Sequence, residues 1–276
     1  MKKIVSLLVL GCLLLILNGC GQDQYLIEKD YWQVRKQAES IFRNPPGSPP
    51  NELERVINQL NKFIQKYPKN ILALQAEFNI AGLYIVKQEY DKARQHLNSM
   101  ISKYNQPEIR SESVFLIGNS YQLQDRWEQA LEQYKKIIAE YPLTIRGLDI
   151  PVYIAQYYKS KFQPDKMMNA FQEAIAHYSS LAEKYPGSPL AFKSYTLISS
   201  CYGAMKNWEE AVKALNTLVE KFKGKVDTDV VLMDIALIYK RELKDTAKAK
   251  EALEKLIKEY PKSRLVKTAR TLLERP

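Results

Sequence analysis

One short phrase recurs along the chain. It reads Lys66-Tyr67-Pro68-Lys69-Asn70, Glu140-Tyr141-Pro142-Leu143-Thr144, Lys184-Tyr185-Pro186-Gly187-Ser188 and Glu259-Tyr260-Pro261-Lys262-Ser263. Tyr104-Asn105 and Phe222-Lys223 hold the equivalent places without proline. A proline lacks the amide hydrogen that a helix needs and disfavours the helical conformation in the residue before it, so each phrase marks a helix end. Pro68 to Pro142 spans 74 residues, two units of 37, and Pro186 to Pro261 spans 75, whereas Pro142 to Pro186 spans only 44.

The pattern between phrases is helical. In residues 71–104, Ile80, Ala81, Tyr84 and Ile85 fall three and four apart on one face. Lys87-Gln88-Glu89 interrupts the pattern. Tyr90, Ala93, Leu97, Met100 and Ile101 then form a second apolar face. The unit is helix, tight turn, helix. Small residues repeat in register: Ala81, Gly118, Ala155, Ser199 and Ala236 on the first helix, and Ala93, Ala130, Ala174, Ala211 and Ala249 on the second. Small side chains let paired helices approach to the short end of the usual separation of about 8–10 Å. Tyr84, Tyr121, Tyr158, Tyr202 and Tyr239 recur three residues after the first set.

These positions resemble the tetratricopeptide repeat, a family of helix pairs. The resemblance covers nearly all of residues 28–261. It implies an all-α fold, a right-handed α-solenoid of about six helix pairs: 28–68, 69–105, 106–142, 143–186, 187–224 and 225–261. Residues 262–276, with Leu265, Ala269 and Leu272 on one face, read as a C-terminal capping helix, which such arrays need for solubility. Two repeats depart from the pattern. The first carries Pro45-Pro46-Gly47-Ser48-Pro49-Pro50, expected as a stiff extended loop. The fourth is about seven residues long for its class, with the excess between Tyr158 and Ala174, and reads as a longer pair or a partner-specific edge.

The N-terminus differs from the rest. Lys2 and Lys3 precede a run from Ile4 to Leu17 that is apolar apart from Ser6, Gly11 and Cys12. As a helix the run is about 21 Å long, short of a hydrocarbon core of about 30 Å, which suits a secretory signal better than a membrane span. It ends in Leu17-Asn18-Gly19-Cys20. This resembles the bacterial lipobox, although Asn18 stands where Ser, Ala or Thr is commoner. The resemblance implies a signal peptide over 1–19, lipidation of Cys20, and a short tether over 20–27. It implies attachment in the cell envelope, and Gly21 after the cysteine points to the outer membrane facing the periplasm.

Charge and chemistry bound the remaining possibilities. The chain carries +10, which falls to +8 when residues 1–19 take two lysines away. Residues 221–276 hold 15 Lys or Arg against 9 Asp or Glu, a surface suited to an anionic glycan or lipid or to ordinary solvation. Export argues against nucleic acid as a partner. The two histidines, His96 and His177, stand far apart, and no metal spacing or glycine-rich phosphate loop is present. With Cys20 acylated, Cys201 is a lone thiol on an apolar helix. The reading is a non-enzymatic protein with no cofactor.

In the tetratricopeptide family, ligands mostly lie along the concave face lined by the first helices. Carried onto this chain, that groove comprises Phe78, Gly82 and Ile85, then Phe115, Asn119 and Gln122, then Val152, Gln156 and Lys159, then Lys193, Thr196 and Ser200, and last Met233, Leu237 and Lys240. The lining runs from apolar to amide-rich to basic and suits an extended peptide or partner helix. The family's carboxylate clamp is matched only at Asn119 and Lys193, since Phe115, Tyr153 and Leu197 replace its other residues. Lipobox, size and repeat style are similar to outer-membrane assembly lipoproteins of the BamD type. The expected function is therefore a membrane-anchored scaffold for an envelope protein complex, outer-membrane protein assembly being one such process. A binding protein for an anionic envelope glycan or lipid is the alternative.

Overall fold

The computed structural model describes residues 24–49 and 51–274, and among these residues it contains thirteen helices and no strand. Residues 1–23, which include the expected signal and Cys20, lie outside the described residues, as does Pro50. The chain divides into two compact units, Met1–Arg146 and Gly147–Pro276.

The first unit contains α1 (24–43), α2 (Glu52–Lys66), α3 (Ile71–Val86), α4 (Tyr90–Lys103), α5 (Pro107–Gln122) and α6 (Trp127–Glu140). Residues 24–27 are already helical, where a tether was expected. Ile27 packs with Val34 and Phe42 against the cluster of Tyr31, Ala38, Ile41, Leu60 and Phe63, and that burial holds the extra turn. The proline-rich segment is turned rather than extended. Asn44 accepts from the Gly47 amide through its backbone oxygen at 3.2 Å, and Lys87 donates to the Pro45 carbonyl at 2.7 Å.

The division between units falls within α7 (Ile145–Ser160). The second unit continues with α8 (Pro164–Lys184), α9 (Pro189–Ala204), α10 (Trp208–Phe222), α11 (Asp229–Arg241), α12 (Thr246–Glu259) and α13 (Val266–Glu274). At 21 residues, α8 exceeds the 14 or 15 of α4, α6, α10 and α12. The long fourth repeat therefore takes up its excess as about two more helical turns. At the C-terminal end, α13 buries Ala269 and packs Leu272 and Leu273 onto the cluster of Leu253 and Leu256.

The recurrent small residues explain the pairing. Ala81, Ala155, Ser199 and Ala236 on first helices are buried, as are Ala93, Ala130, Ala174, Ala211 and Ala249 on second helices. Gly118 is buried too, and a Cβ there would stand 2.6 Å from Cε1 of Tyr134. That proximity requires glycine.

Each tight turn contains one left-handed residue. Gln88, Asp125, Phe162, Lys206 and Lys244 all adopt the left-handed conformation, with φ of 62°, 56°, 55°, 60° and 55°. In the first four turns the following amide donates to the carbonyl of the recurrent tyrosine. Glu89 reaches Tyr84 at 2.8 Å, Arg126 Tyr121 at 3.0 Å, Gln163 Tyr158 at 3.0 Å and Asn207 Tyr202 at 2.9 Å. This is a Schellman closure, which satisfies carbonyls that the helix end would otherwise orphan. The last turn is one residue wider, Asp245 donating to Tyr239 at 2.9 Å. The ends of the second helices repeat as well: Tyr67, Tyr141, Tyr185 and Tyr260 all cap at φ near −125°.

Candidate functional site

The first-helix positions expected to bind a partner divide into those that pack and those that face solvent. On α3, Phe78 is half-buried against the seam formed by Ala81, Leu97, Met100 and Ile117, and Ile85 is half-buried near the end of the helix. On α5, Phe115 lies between two partners. Its ring stacks on Tyr134 at 5.9 Å, and the Arg146 guanidinium sits 3.7 Å from its centroid. Gln122 accepts from the Tyr134 hydroxyl at 3.0 Å, and Asn119 is half-buried one turn earlier. Phe115 and Gln122 thus share Tyr134 as a neighbour.

In the second unit, Gln156, Lys159 and Lys193 are exposed. Lys240 is half-buried and donates to the Leu272 carbonyl at 3.2 Å, so its ammonium serves α13. Met233 departs from expectation: it is buried in the core with Val231, Leu232 and Ile235, and is withdrawn from any groove. Helix α11 has apolar residues at four of five consecutive positions there, and periodicity could not say which of them turned inward.

The structure adds features that sequence reading missed. A groove of about 570 Å³ lies between α8 and the α9–α10 turn, lined by Met168, Ile175, Tyr202 and Met205 with Gln172 and Glu209 among its polar members. The long fourth repeat was the available signal, since the added turns of α8 supply Met168. Glu77 on α3 is buried, and it meets His96 at 3.1 Å and Lys103 at 2.7 Å, both from α4. Burial pushes the Glu77 carboxyl up, but hydrogen bonds from His96 and Lys103 outweigh it, and the net direction is down. Nineteen residues separate His96 from Glu77, which hid the contact from local pattern reading. A lysine in the cluster suits an ion pair rather than a cation site.

A second buried charge, Arg94 of α4, reaches α5. It donates to Ser120 at 3.0 Å and Gln124 at 2.9 Å, pairs with Asp91, and lies 4.3 Å from the Tyr121 centroid. Cys201 is fully buried, and burial pushes its thiol pKa up to about 12, so it is protonated and unreactive in the folded protein. Among the described residues, no group of three His, Cys, Asp or Glu could hold a metal ion, and no helix is long and apolar enough to cross a membrane.

Residues 112–144, 194–224 and 231–263 match the family model described as "Tetratricopeptide repeat". The matched tetratricopeptide segments contain the turns at Asp125, Lys206 and Lys244. No curated protein matches the chain. Among solved structures, the chain is similar to BtubC (BKLC) from P. vanneervenii, with 16% identity, a TM-score of 0.44, and 88% of this chain and 93% of that one covered. It is also similar to TTC0263, a thermophilic TPR protein of Thermus thermophilus, with 15% identity, a TM-score of 0.42, and coverage of 73% and 100%. YrrB, described as a TPR protein with an unusual peptide-binding site, shows 16% identity, a TM-score of 0.36, and coverage of 77% and 97%.

Proposed function

We propose that this chain is a lipid-anchored tetratricopeptide scaffold that holds an envelope protein against the solvent-facing side of the first helices α7 and α9. The observation that carries this reading is the division of labour within each repeat. Alanines and glycine are consumed in helix approach, tyrosine carbonyls close the turns, and the buried charges tie neighbouring helices together. What remains open to a partner in the second unit is one amide and two lysines, Gln156, Lys159 and Lys193. Such groups suit the main chain and acidic side chains of a peptide or helix. The lipobox ending at Cys20 supports anchorage, since several acyl chains hold a protein where one does not. The outer membrane facing the periplasm is the proposed location, and assembly of outer-membrane proteins is the proposed process.

A position-resolved crosslinking experiment tests this. A photoreactive residue at Gln156, Lys159 or Lys193 should capture one protein in stoichiometric amount from intact envelopes. The same residue at Lys135 or Lys213, exposed on second helices, should not. No capture from any first-helix position, or equal capture from both sets, would refute the assignment of the face. The basic C-terminal third supplies less support for an anionic polymer, because Lys240 is turned to the Leu272 carbonyl.

A further inference from the structure

The outward side of α1 combines large exposed apolar side chains with basic ones. Ile27, Tyr31, Ala38 and Ile41 face the core. At 100° per residue, the opposite strip holds Tyr25, Lys29, Trp32, Lys36 and Arg43. The spacings of four, three, four and seven keep all five in line. Tyr25 is 64% exposed and Trp32 60% exposed, large apolar surfaces to leave in water at the first helix of an array. Leu26 flanks them and is also exposed. Lys36 holds its ammonium 5.3 Å from the Trp32 centroid.

The acidic residues of α1 do not cancel this strip. Asp30 turns toward α2, where it accepts from Lys66 and from the Tyr67 hydroxyl, each at 2.8 Å. Glu39 is held by Arg35 at 2.8 Å and lies 3.9 Å from Arg43. Glu28 accepts from Gln24 at 2.7 Å. Lys29 and Lys36 therefore project beside two amphipathic aromatics with no acid between them on the strip.

Distance from the anchor decides what this surface can meet. This step rests on the reading that Cys20 is lipidated. Four residue steps separate Cys20 from the start of α1, a reach of about 14 Å even if fully extended. The N-terminal end of α1 therefore stays within about 14 Å of the acylated residue, close to the headgroup zone of the bilayer that holds the acyl chains. Trp32 lies about 12 Å further along the helix. If α1 stood upright, Trp32 would be carried away from the lipid. If α1 lies flat, Tyr25 and Trp32 both enter the interface, where the apolar ring body and polar N–H or O–H of such residues are each accommodated. Lysines and Arg43 then meet the phosphate layer, which favours anionic lipid.

We propose that the Tyr25–Lys29–Trp32–Lys36–Arg43 strip of α1 lies on an anionic lipid surface beside the anchor. Acyl chains fix the protein to the membrane, and α1 fixes how the first unit faces it.

The test uses the full chain purified from membranes and reconstituted into vesicles whose acyl chains are brominated, a quencher of tryptophan fluorescence. One set contains phosphatidylcholine alone and the other phosphatidylcholine with phosphatidylglycerol. Trp127 is buried and Trp208 half-buried, and the Trp32→Phe variant gives their baseline. The emission due to Trp32 should be quenched at least twofold in the phosphatidylglycerol vesicles. A Lys29→Glu, Lys36→Glu, Arg43→Glu triple variant should lose that quenching while staying in the vesicle fraction. These side chains are exposed or rim positions, so the fold is retained. Unquenched Trp32 in the wild-type protein overturns the proposal, and so does equal quenching with and without phosphatidylglycerol. A photoreactive residue at position 32 that captures a protein in intact envelopes overturns it in favour of a protein partner. The mass of the N-terminal peptide separates the two levels. An unacylated Cys20 removes the anchoring reading itself, whereas acylated Cys20 with unquenched Trp32 removes only the role of α1.

Discussion

Arg146 grips Glu112 with two parallel hydrogen bonds across 34 residues, Nη2 to Oε1 at 2.8 Å and Nε to Oε2 at 2.5 Å. That separation is the length of one tetratricopeptide unit. A comparable link joins Ser263 to Asp229, also 34 residues apart, at 2.5 Å. In both, an acid early in a first helix reaches the residue at or just before the start of the helix one unit later. Each of the two links joins residues one repeat length apart.

Replacing Arg146 with Lys should therefore not be conservative. Lysine keeps the charge but loses the two-point grip on Glu112 and the flat contact with Phe115. The pair is about one-third exposed, so its contribution is modest. Urea unfolding should show a loss of about 1 kcal/mol for Arg146→Lys. A double-mutant cycle with Glu112→Gln should return a coupling of about 0.5–1 kcal/mol, and additive effects would contradict the linkage.

Gly118 and Gly203 make a contrasting pair. An added Cβ at Gly118 meets the Tyr134 ring at 2.6 Å, and that ring is fully buried with its hydroxyl tied to Gln122. Gly118→Ala should cost about 1–3 kcal/mol, the range for overpacking, despite the better helix propensity of alanine. At Gly203 the neighbour is the Trp208 ring at 3.0 Å, half-buried and better able to shift. Gly203→Ala should fall within about 0.5 kcal/mol of the parent in the same assay.

Phe162 offers a stabilising change. It holds φ of 55° and is 92% exposed, so it bears the left-handed strain with little packing in return. Phe162→Gly should raise stability by about 0.5–1 kcal/mol, read as a higher thermal midpoint. Gly187, already at φ of 72°, should lose about the same amount on conversion to alanine.

Acid should weaken the protein in two stages. Burial lowers the His177 pKa from 6.5, and its Nε2 has no partner while the ring edge meets Tyr178. A histidine that resists protonation when folded gives full stability above pH 6.5 and less as pH falls below it, because the unfolded chain takes the proton more readily. His177→Phe should flatten the loss of stability as pH falls below 6.5. Glu77 acts lower. Its carboxyl is shifted down from 4.5, so the stability it confers is complete above that pH and lost as pH falls through the lower folded value. Glu77→Gln should be destabilised at neutral pH and converge on the parent in acid, once the folded carboxyl is protonated.

The helical class and the repeat were legible because they rest on local rules. The Tyr-Pro phrase ends a helix at Tyr67, Tyr141, Tyr185 and Tyr260, and Ala81 or Ala130 announces close approach by size alone. Contacts set by tertiary geometry were not legible. His96 and Glu77 lie on different helices, and nothing near either residue signals the other. Met233 looked available because α11 is apolar over several consecutive positions. Tyr134 and Tyr178, the largest fully buried side chains, stand outside the two recurrent tyrosine positions that the pattern singled out. The recurrent tyrosines are only half-buried, and what they contribute to each turn is a backbone carbonyl. Spacing revealed where they were but could not reveal that the main chain was the working part.

The five left-handed turns carry glutamine, aspartate, phenylalanine and two lysines, side chains with no chemistry in common. A bond made by the main chain does not constrain the residue that makes it. Mutation can therefore rewrite these positions at a small and roughly constant penalty. Ancestry fades from the letters there while the backbone path persists. The turns at Gln88 and Phe162 fall outside the matched segments yet share the φ of those inside. In such an array, shape outlives spelling, and kinship with other chains is better sought in turn geometry than in aligned residues.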